Sequence, residues 1–205
     1  MKTYVLHYKP LVERRKHIDE QLLKQNIDAI FIESEVGPGL YVDLQNSSSS
    51  LIKKHILAWL AISNGSEPYG LILEDDVILA DDFSSKLDHY ISQLPPDFDM
   101  LFVGNGLSDN YHLNIPAGTV GIRTPYTDNP PYNGITRCTD SYVLSKACAY
   151  RMLQYLHAIP IINLPIDHWM NKIAYDMNFS KVYWAEPTIV SQGSETGLFN
   201  SCVLR

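Results

Sequence analysis

The stretch Gly70-Leu71-Ile72-Leu73-Glu74-Asp75-Asp76-Val77-Ile78-Leu79 decides how we interpret the rest of the chain. Its aliphatic run follows a Pro-Tyr-Gly turn signal, which predicts a buried strand with three acids where that strand leaves the core. On an extended backbone, Glu74 and Asp76 share one face and Asp75 points to the other. Two carboxylates on one face suit a hard divalent cation such as Mg²⁺ or Mn²⁺. A solvated acidic turn is the alternative for this stretch.

The length and the charge of the chain limit the number of domains and the classes of binding partner. With 205 residues and 23.3 kDa, the chain fits a single domain over residues 1–205 with a substantial core. Its hydrophobic content of 45% and charged content of 19% are ordinary for a globular protein. The net charge of −7 and the lack of a lysine or arginine run argue against a nucleic-acid partner.

Cysteine usage and hydropathy give expectations about the compartment. The three cysteines form no Cys-x-x-Cys pair, so a disulfide framework is not expected. No segment reaches the roughly 18 apolar residues of a membrane span, and the N-terminal apolar run is too short for a signal peptide. We therefore expect a cytoplasmic location without a membrane span, although a domain cut from a longer secretory protein would look the same.

The N-terminal third has the order strand, helix, strand. The strands are expected over residues 3–8 and 28–32, and the helix over 11–25. This order predicts an α/β fold with a mostly parallel central sheet flanked by helices. The apolar stripe of the helix consists of Leu11, Ile18, Leu22 and Leu23.

Three further segments before residue 105 have clear patterns. A serine run from Asn46 caps a largely buried helix over 51–62, in which His55 and Trp59 lie one turn apart. A histidine in this setting is more often a core residue than a ligand. Asp81-Asp82 caps a helix over 82–93, and a buried strand follows at 99–104.

Residues 105–137 are polar and rich in proline, which predicts a functional loop. Its three tyrosines either offer rings to a sugar or peptide or only pack the loop, and they are Tyr111, Tyr126 and Tyr132. The segment 193–205 is expected to be an irregular tail.

The C-terminal half contains two more candidate acids. Asp140 begins a strand predicted over 139–144, which a helix over 146–156 follows. Asp167 comes after Pro165, at or near the start of a helix over 168–177, where an aspartate is either a cap or a catalytic group. From this position alone, the cap is favoured.

Five blocks in this order resemble the family 25 glycosyltransferases, which include lipooligosaccharide galactosyltransferases and the domains that galactosylate collagen hydroxylysine. The blocks are Glu13-Arg14-Arg15 after the first strand, the helix with His55 and Trp59, Ile72 to Val77, Thr139 to Lys146, and Pro165-Ile166-Asp167 with Pro187 to Gln192. The departures are at the helix with His55, where the family's glycine-rich start and its serine before the histidine are replaced, and at Ile166, where the family often has valine.

The resemblance implies a GT-A type nucleotide-sugar-binding fold and an inverting transferase. Asp76 would bind Mn²⁺ (or Mg²⁺) directly against the diphosphate of a UDP-sugar, and Glu74 would either bind the same ion or hold a water molecule bound to it. Asp75 would contact the ribose or the donor sugar. Galactose is implied as the sugar. The acceptor hydroxyl would belong to a glycan, a lipid-linked sugar or hydroxylysine in a collagen-like protein.

The resemblance also suggests roles for residues outside the acidic stretch. Inversion in one displacement needs a base, for which Asp167 is the first candidate and Asp140 the second. His55 and His168 are candidate contacts of the metal or the diphosphate. Arg14 and Arg15 are either donor contacts or, as the pattern favours, solvated helix charges.

Two other functions fit parts of the pattern. One is a non-catalytic domain of the same fold that binds a nucleotide-sugar or a glycan. The other is a metal-dependent phosphohydrolase, which the missing Asp-x-Asp-x-Thr and Gly-x-x-x-x-Gly-Lys motifs disfavour.

Overall fold

The structure is a computed structural model that describes residues 1–33, 46–106, 113–123, 138–158 and 161–201. The strands in these ranges are β1 (Lys2–Leu6), β2 (Ala29–Ile32), β3 (Tyr69–Glu74), β4 (Val77–Leu79), β5 (Met100–Phe102), β6 (Thr119–Ile122), β7 (Ser141–Ser145), β8 (Val182–Glu186) and β9 (Val190–Gln192). The helices are α1 (Val12–Lys24), α2 (Asn46–Asn64), α3 (Phe83–Ser92), α4 (Lys146–Ala158), α5 (Ile166–Asp176) and α6 (Gly193–Thr196). Among the helices of the described ranges, none is long and apolar enough to cross a membrane.

The N-terminal strand, helix, strand unit agrees with the sequence pattern. β1 and β2 are parallel neighbours, and α1 connects them. Ile18 and Leu22 are buried as expected. Leu23 is 82% exposed, so its assignment to the apolar stripe was wrong. Arg15 and Asp19, four residues apart, form an ion pair on the solvent-exposed face of α1.

The main sheet has seven strands in the order β2-β1-β3-β7-β5-β8-β6. The α/β class with flanking helices is confirmed, but the sheet is mixed and not mostly parallel. β1–β2, β1–β3 and β5–β8 are parallel, whereas β3–β7, β5–β7 and β6–β8 are antiparallel. A helical crossover enforces a parallel direction only between the strands that it joins. No helix lies between β5 and β7 in the described residues, so nothing in the pattern fixed the direction of β7.

The helices cover both faces of the sheet with separate apolar clusters. One cluster includes Trp59 of α2, Met152 of α4 and Trp169 of α5, and the other includes Ile18 of α1 and Phe83 of α3. α2 starts at residue 46, so the serine run forms its first turn and does not precede it. Burial on both faces leaves only the strand ends and their loops for a site.

Two segments expected to be irregular contain regular structure. β6 lies inside the segment 105–137 and pairs with β8, and α6 lies inside the expected tail. A second sheet of two strands, β4 and β9, joins the residues after the acidic motif to the residues before α6. Tyr111, Tyr126 and Tyr132 lie outside the described residues.

Candidate functional site

A cleft of about 800 Å³ opens at the carboxyl ends of β1 and β3. These strands are parallel neighbours, and Leu6 pairs with Glu74 where they end. The start of α2 and the first turn of α5 complete the wall. Open α/β sheets bind ligands beyond the carboxyl ends of their strands. This cleft is therefore the candidate functional site.

The acidic stretch forms a turn at the floor of the cleft. β3 ends at Glu74, and Asp75 and Asp76 form the turn that leads to β4. All three acids line the cleft. The prediction that Asp75 points away from the other two is wrong, because alternation requires an extended backbone. The alternative of a solvated turn is also wrong, since Asp75 and Asp76 are 5% and 3% exposed.

Asp75 is held by protein groups on both of its oxygens. Arg14 Nη1 donates to Oδ1 at 2.9 Å, and the backbone N–H of Tyr8 donates to Oδ2 at 3.3 Å. His7 Nδ1 lies 2.8 Å from the same Oδ2. Asp75 thus connects α1 and the residues after β1 to the acidic turn. A hydroxyl of a bound ligand would have to share the two oxygens of Asp75 with these groups.

Arg14 is a buried cation of the site, as is Lys54, which is 3% exposed and lines the same cleft. Arg14 is 8% exposed, and its Nη1 also lies 3.4 Å from Asp76 Oδ2. Nη2 donates to the backbone oxygen of Asn200 at 2.7 Å, and the guanidinium lies 5.4 Å from the ring centroid of Phe199. The interpretation of Arg14 as a solvated charge is therefore wrong. Arg15 fits that interpretation, since its side chain is 38% exposed.

Asp76 combines burial with an unsatisfied oxygen. Its Oδ1 has no hydrogen-bond partner among the described residues. Burial raises the pKa of Asp76, the charge of Glu74 raises it further, and Arg14 and a hydrogen bond with Ser194 oppose this shift. A buried carboxylate oxygen of this kind is stabilised by either a proton or a cation.

Glu74 lies between the cleft and a buried histidine. Thr139 Oγ1 donates to Glu74 Oε1 at 2.9 Å, and His55 Nε2 lies 3.8 Å from the same oxygen. His55 is fully buried and is not part of the cleft wall. The structure thus places His55 behind Glu74, away from the space where a donor would lie.

Asp167 and His168 line the same cleft. α5 begins at Ile166, earlier than predicted, with Pro165 as its N-cap, so Asp167 lies within the first turn. The interpretation of Asp167 as the cap is therefore wrong. Its carboxylate lies on the cleft wall and in the N-terminal turn of α5, where the positive end of the helix dipole attracts a negative charge.

Asp140 is enclosed by protein. It is 0% exposed and does not line the cleft, and Ser141 Oγ donates to its Oδ2 at 2.9 Å. Burial and the charge of Glu74 raise the pKa of Asp140 well above its ordinary range. A Cβ atom at Gly104 would lie 2.1 Å from Asp140 Oδ2, so only glycine permits this packing.

The sequence pattern missed several residues around the acids. His7 and Tyr8 could have been found, because they directly follow β1, the strand that runs parallel to β3. Thr139 was noted only as part of a strand. Ser194 carried no signal, since its position depends on the pairing of β4 with β9.

No group of three or more His, Cys, Asp and Glu side chains is arranged to hold a metal ion within the described part of the chain. Mg²⁺ and similar ions often take only one or two carboxylates and complete their shell with substrate phosphates and water. The oxygens of Asp76 and Glu74 fit such an ion in their chemistry.

The fold and the site define the chain as a GT-A type α/β protein. A glycosyltransferase involved in glycosylation of the major capsid of PBCV-1 has a similar structure, with a TM-score of 0.54 and 11% identity over 94% of this chain and 92% of that one. A mutant of the Drosophila beta-1,4-galactosyltransferase 7, solved with manganese, UDP-Gal and xylobiose, gives a TM-score of 0.42 and 13% identity over 91% and 66%. The inositol-1-phosphate CTP transferase from T. maritima gives 0.44 and 13% over 97% and 71%.

Sequence comparison gives the family. The family described as glycosyltransferase family 25 (LPS biosynthesis protein) matches residues 52–170, which is more than half of the chain. The chain belongs to glycosyltransferase family 25, as its motifs suggested. Membership implies a nucleotide-sugar donor. A comparison with curated proteins gives no significant match.

Proposed function

We propose that the protein transfers a hexose, galactose by analogy with the family, from a UDP-sugar to an acceptor hydroxyl with inversion and with the help of Mn²⁺ or Mg²⁺. The acceptor is a glycan, a lipid-linked sugar or hydroxylysine in a collagen-like protein. One observation carries the proposal: a buried Asp76 with an unpartnered oxygen lines the same cleft as a second acid, Asp167. The first acid suits the leaving diphosphate, and the second suits the acceptor.

At the donor end, Asp76 and Glu74 would hold the cation. When bound, the cation neutralises the charge that develops on the departing diphosphate. Arg14 contacts Asp75 and Asp76 and thereby keeps the acidic turn in place. We assign Arg14 and Asp75 to the binding of the UDP-sugar. A phosphate or hydroxyl of the UDP-sugar would there contact the ion pair that Arg14 forms with Asp75.

At the acceptor end, Asp167 is the proposed base. It accepts the proton of the acceptor hydroxyl while the bond from the acceptor oxygen to the anomeric carbon forms. The bond from that carbon to the diphosphate oxygen breaks, and UDP leaves with the electron pair. Asp140 fits this role less well, because it does not line the cleft and its raised pKa disfavours the carboxylate.

Changing Asp76 to Asn tests the donor end. The carboxamide keeps the shape but removes the charge that holds a cation, so we expect Mn²⁺-dependent transfer to fall at least about 100-fold. Circular dichroism should show an unchanged fold. Asp88 is exposed on α3 and supplies the matched control, since Asp88→Asn should transfer like the wild type. Full activity of Asp76→Asn would refute the metal role.

Changing Asp167 to Ala tests the acceptor end. Loss of a general base should lower kcat by about 10²- to 10⁴-fold. UDP affinity, measured by calorimetry, should stay within about twofold, because the base contacts the acceptor and not the nucleotide. Turnover at the wild-type rate would remove Asp167 as the base.

The donor sugar follows from a screen of UDP-sugars for hydrolysis with and without Mn²⁺. Hydrolysis of one UDP-hexose that depends on the metal supports the proposal and identifies the donor. UDP binding without turnover of any donor would favour a non-catalytic binding domain of the same fold.

A further inference from the structure

A chain of buried polar groups runs from the apolar core to the acidic turn. It consists of Trp59, His55 and Tyr142, all 0% exposed, and ends at Glu74. Trp59 Nε1 lies 2.9 Å from Tyr142 Oη, and His55 Nδ1 lies 2.9 Å from the same oxygen. His55 Nε2 then lies 3.8 Å from Glu74 Oε1. The proposed function so far gives these three aromatic residues no task.

The chemistry of the groups fixes the direction of the chain. An indole N–H can only donate, so Tyr142 Oη accepts from Trp59. The hydroxyl hydrogen of Tyr142 is then available for His55 Nδ1, which must accept it. In that tautomer the ring hydrogen lies on Nε2, the atom that faces Glu74.

The opposite tautomer is less favourable in two ways. If Nδ1 carried the hydrogen, it would donate to Tyr142, and the tyrosine hydrogen would have no acceptor among the described residues, since the second neighbour of Tyr142 Oη is the donor Trp59 Nε1. The lone pair of Nε2 would also face the carboxylate of Glu74. His55 Nε2 has no hydrogen-bond partner among the described residues, whichever nitrogen carries the hydrogen. The Nε2–H form leaves only this one atom unpaired and points a hydrogen, not a lone pair, at the carboxylate of Glu74, so the structure favours it.

The rings around His55 keep this arrangement rigid. The imidazole of His55 stacks on the ring of Tyr142, with the two centroids 5.8 Å apart. Phe102 stacks on the same tyrosine ring, with a centroid distance of 5.6 Å. Trp59 stacks on Trp169 at 6.1 Å. A donor held by packed aromatic rings can orient a flexible glutamate at little further cost in entropy.

We propose that His55 is a positioning residue that acts through Glu74, with its Nε2–H fixed as a donor by Trp59 and Tyr142. The distance of 3.8 Å exceeds an ordinary hydrogen bond by about 1 Å. Occupation of the cleft brings the carboxylate to the donor. Thr139 Oγ1 also donates a hydrogen bond to Glu74 Oε1, so two hydrogen-bond donors, Thr139 and His55, orient Glu74. The inference rests on the proposed function, which assigns Glu74 to the donor end of the cleft.

The first test is spectroscopic and needs no activity. In protein with ¹⁵N-labelled histidine, the seven histidines give separate ring signals, and the spectrum of His55→Asn assigns the signal of His55. We expect the ¹⁵N signals of His55 to show that Nδ1 carries no hydrogen and that Nε2 carries one. Addition of UDP and Mg²⁺ should shift the Nε2 signal as Glu74 closes. A hydrogen on Nδ1, or no shift in a protein that binds UDP, overturns the proposal.

The second test compares two substitutions that each keep half of the imidazole. The amide nitrogen of Gln lies near the position of Nε2 and can still donate to Glu74, whereas Asn reaches only the position of Nδ1. We expect His55→Gln to keep the Mg²⁺-dependent affinity for UDP within about fivefold and His55→Asn to lose at least about tenfold. The exposed His157 supplies the control, and His157→Asn should bind like the wild type.

The outcomes separate this proposal from the function on which it rests. A wild type that binds UDP with Mg²⁺ while Gln and Asn at position 55 weaken binding equally overturns the positioning role alone. A wild type that neither binds UDP nor transfers sugar overturns the proposed function, and the positioning role with it. If both variants fail to fold, single substitutions of the other six histidines assign the signal of His55 by elimination, and the tautomer and the ligand-induced shift in the wild type decide.

Discussion

Asp140 is a fully buried carboxyl whose pKa is raised well above its ordinary range, first by burial and then by the charge of Glu74. In the unfolded chain an aspartate has a pKa of about 3.9. The folded state therefore binds the proton more tightly than the unfolded state. The stability that this proton contributes is fully present below about pH 4 and is lost as pH rises through the raised pKa of the folded state.

Changing Asp140 to Asn should remove this pH-dependent loss. The amide oxygen can still accept the hydrogen bond from Ser141, and no charge has to be buried. Without divalent ions at pH 7, we expect the variant to unfold at a higher temperature than the wild type, by about 2–4 °C for each kcal/mol gained. The difference should vanish near pH 4. Thermal unfolding between pH 4 and 8 measures it, with Asp88→Asn as the exposed control. A lower Tm at pH 7, or a difference that is the same at every pH, would contradict the expectation.

At the scale of single residues, four of the five candidate acids named from the sequence line the cleft and Asp140 does not, and the sequence did not show how the four are held. Glu74, Asp75, Asp76 and Asp167 all line the cleft. The neighbouring arginines of α1 could have been told apart, because Arg14 lies four residues before Ile18 and so shares the apolar face of α1, whereas Arg15 is rotated from it by about 100°. Partners far away in sequence, such as Thr139 for Glu74, depend on the direction of β7 and left no local signal.

Among the secondary-structure elements, the short α6 has a specific link to the acidic turn. The N–H of Gly193 donates to the backbone oxygen of Asp76 at 2.7 Å, and the N–H of Phe199 donates to the oxygen of Gly193 at 3.0 Å. Together with the bond from Arg14 to Asn200, these contacts fasten residues 193–200 beside the cleft. α6 and the residues that follow it therefore support the backbone of the acidic turn.

Changing Gly193 to Ala should loosen this link. The added Cβ would lie 2.7 Å from Phe199 Cδ2 and 2.8 Å from the backbone oxygen of Asp76, so the segment must shift. Overpacking of this kind costs about 1–3 kcal/mol, and UDP affinity with Mn²⁺ should fall as the turn moves. Chemical denaturation and calorimetry measure the two effects. Leu198 is 53% exposed in the same segment, and Leu198→Ala should change neither. Wild-type stability of Gly193→Ala would show that the segment does not support the turn.

Elements with a clear period were predicted close to their observed bounds, as α1 and β2 show. The three-residue strand β4 and the four-residue β6 were missed. Such short runs show no alternation by themselves and exist only because a distant strand pairs with them. The serine run of α2 was assigned to a cap because serine favours both a cap and a first turn.

In the whole molecule, the cleft is assembled from parts that are far apart in sequence. Its wall includes the ends of β1 and β3, the starts of α2 and α5, and three residues of the last described segment, Gln192, Ser194 and Ser201. None of these surfaces exists in the unfolded chain. A ligand that bridges them should therefore stabilise the entire fold and not one element.

UDP with Mn²⁺ should raise the Tm of the protein, and the size of the rise measures how strongly ligand binding stabilises the fold. At a free ligand concentration 100 times the Kd, binding adds about 2.7 kcal/mol, which corresponds to a rise of about 5–10 °C at this chain length. UDP in the presence of EDTA should give a much smaller rise, because the carboxylates of Glu74 and Asp76 then face the diphosphate without a cation between them. Asp76→Asn should lose the part of the rise that depends on Mn²⁺, whereas Asp88→Asn should keep it. If EDTA leaves the rise with UDP unchanged, the acidic turn does not bind the nucleotide through a metal, and its buried charge must serve another partner.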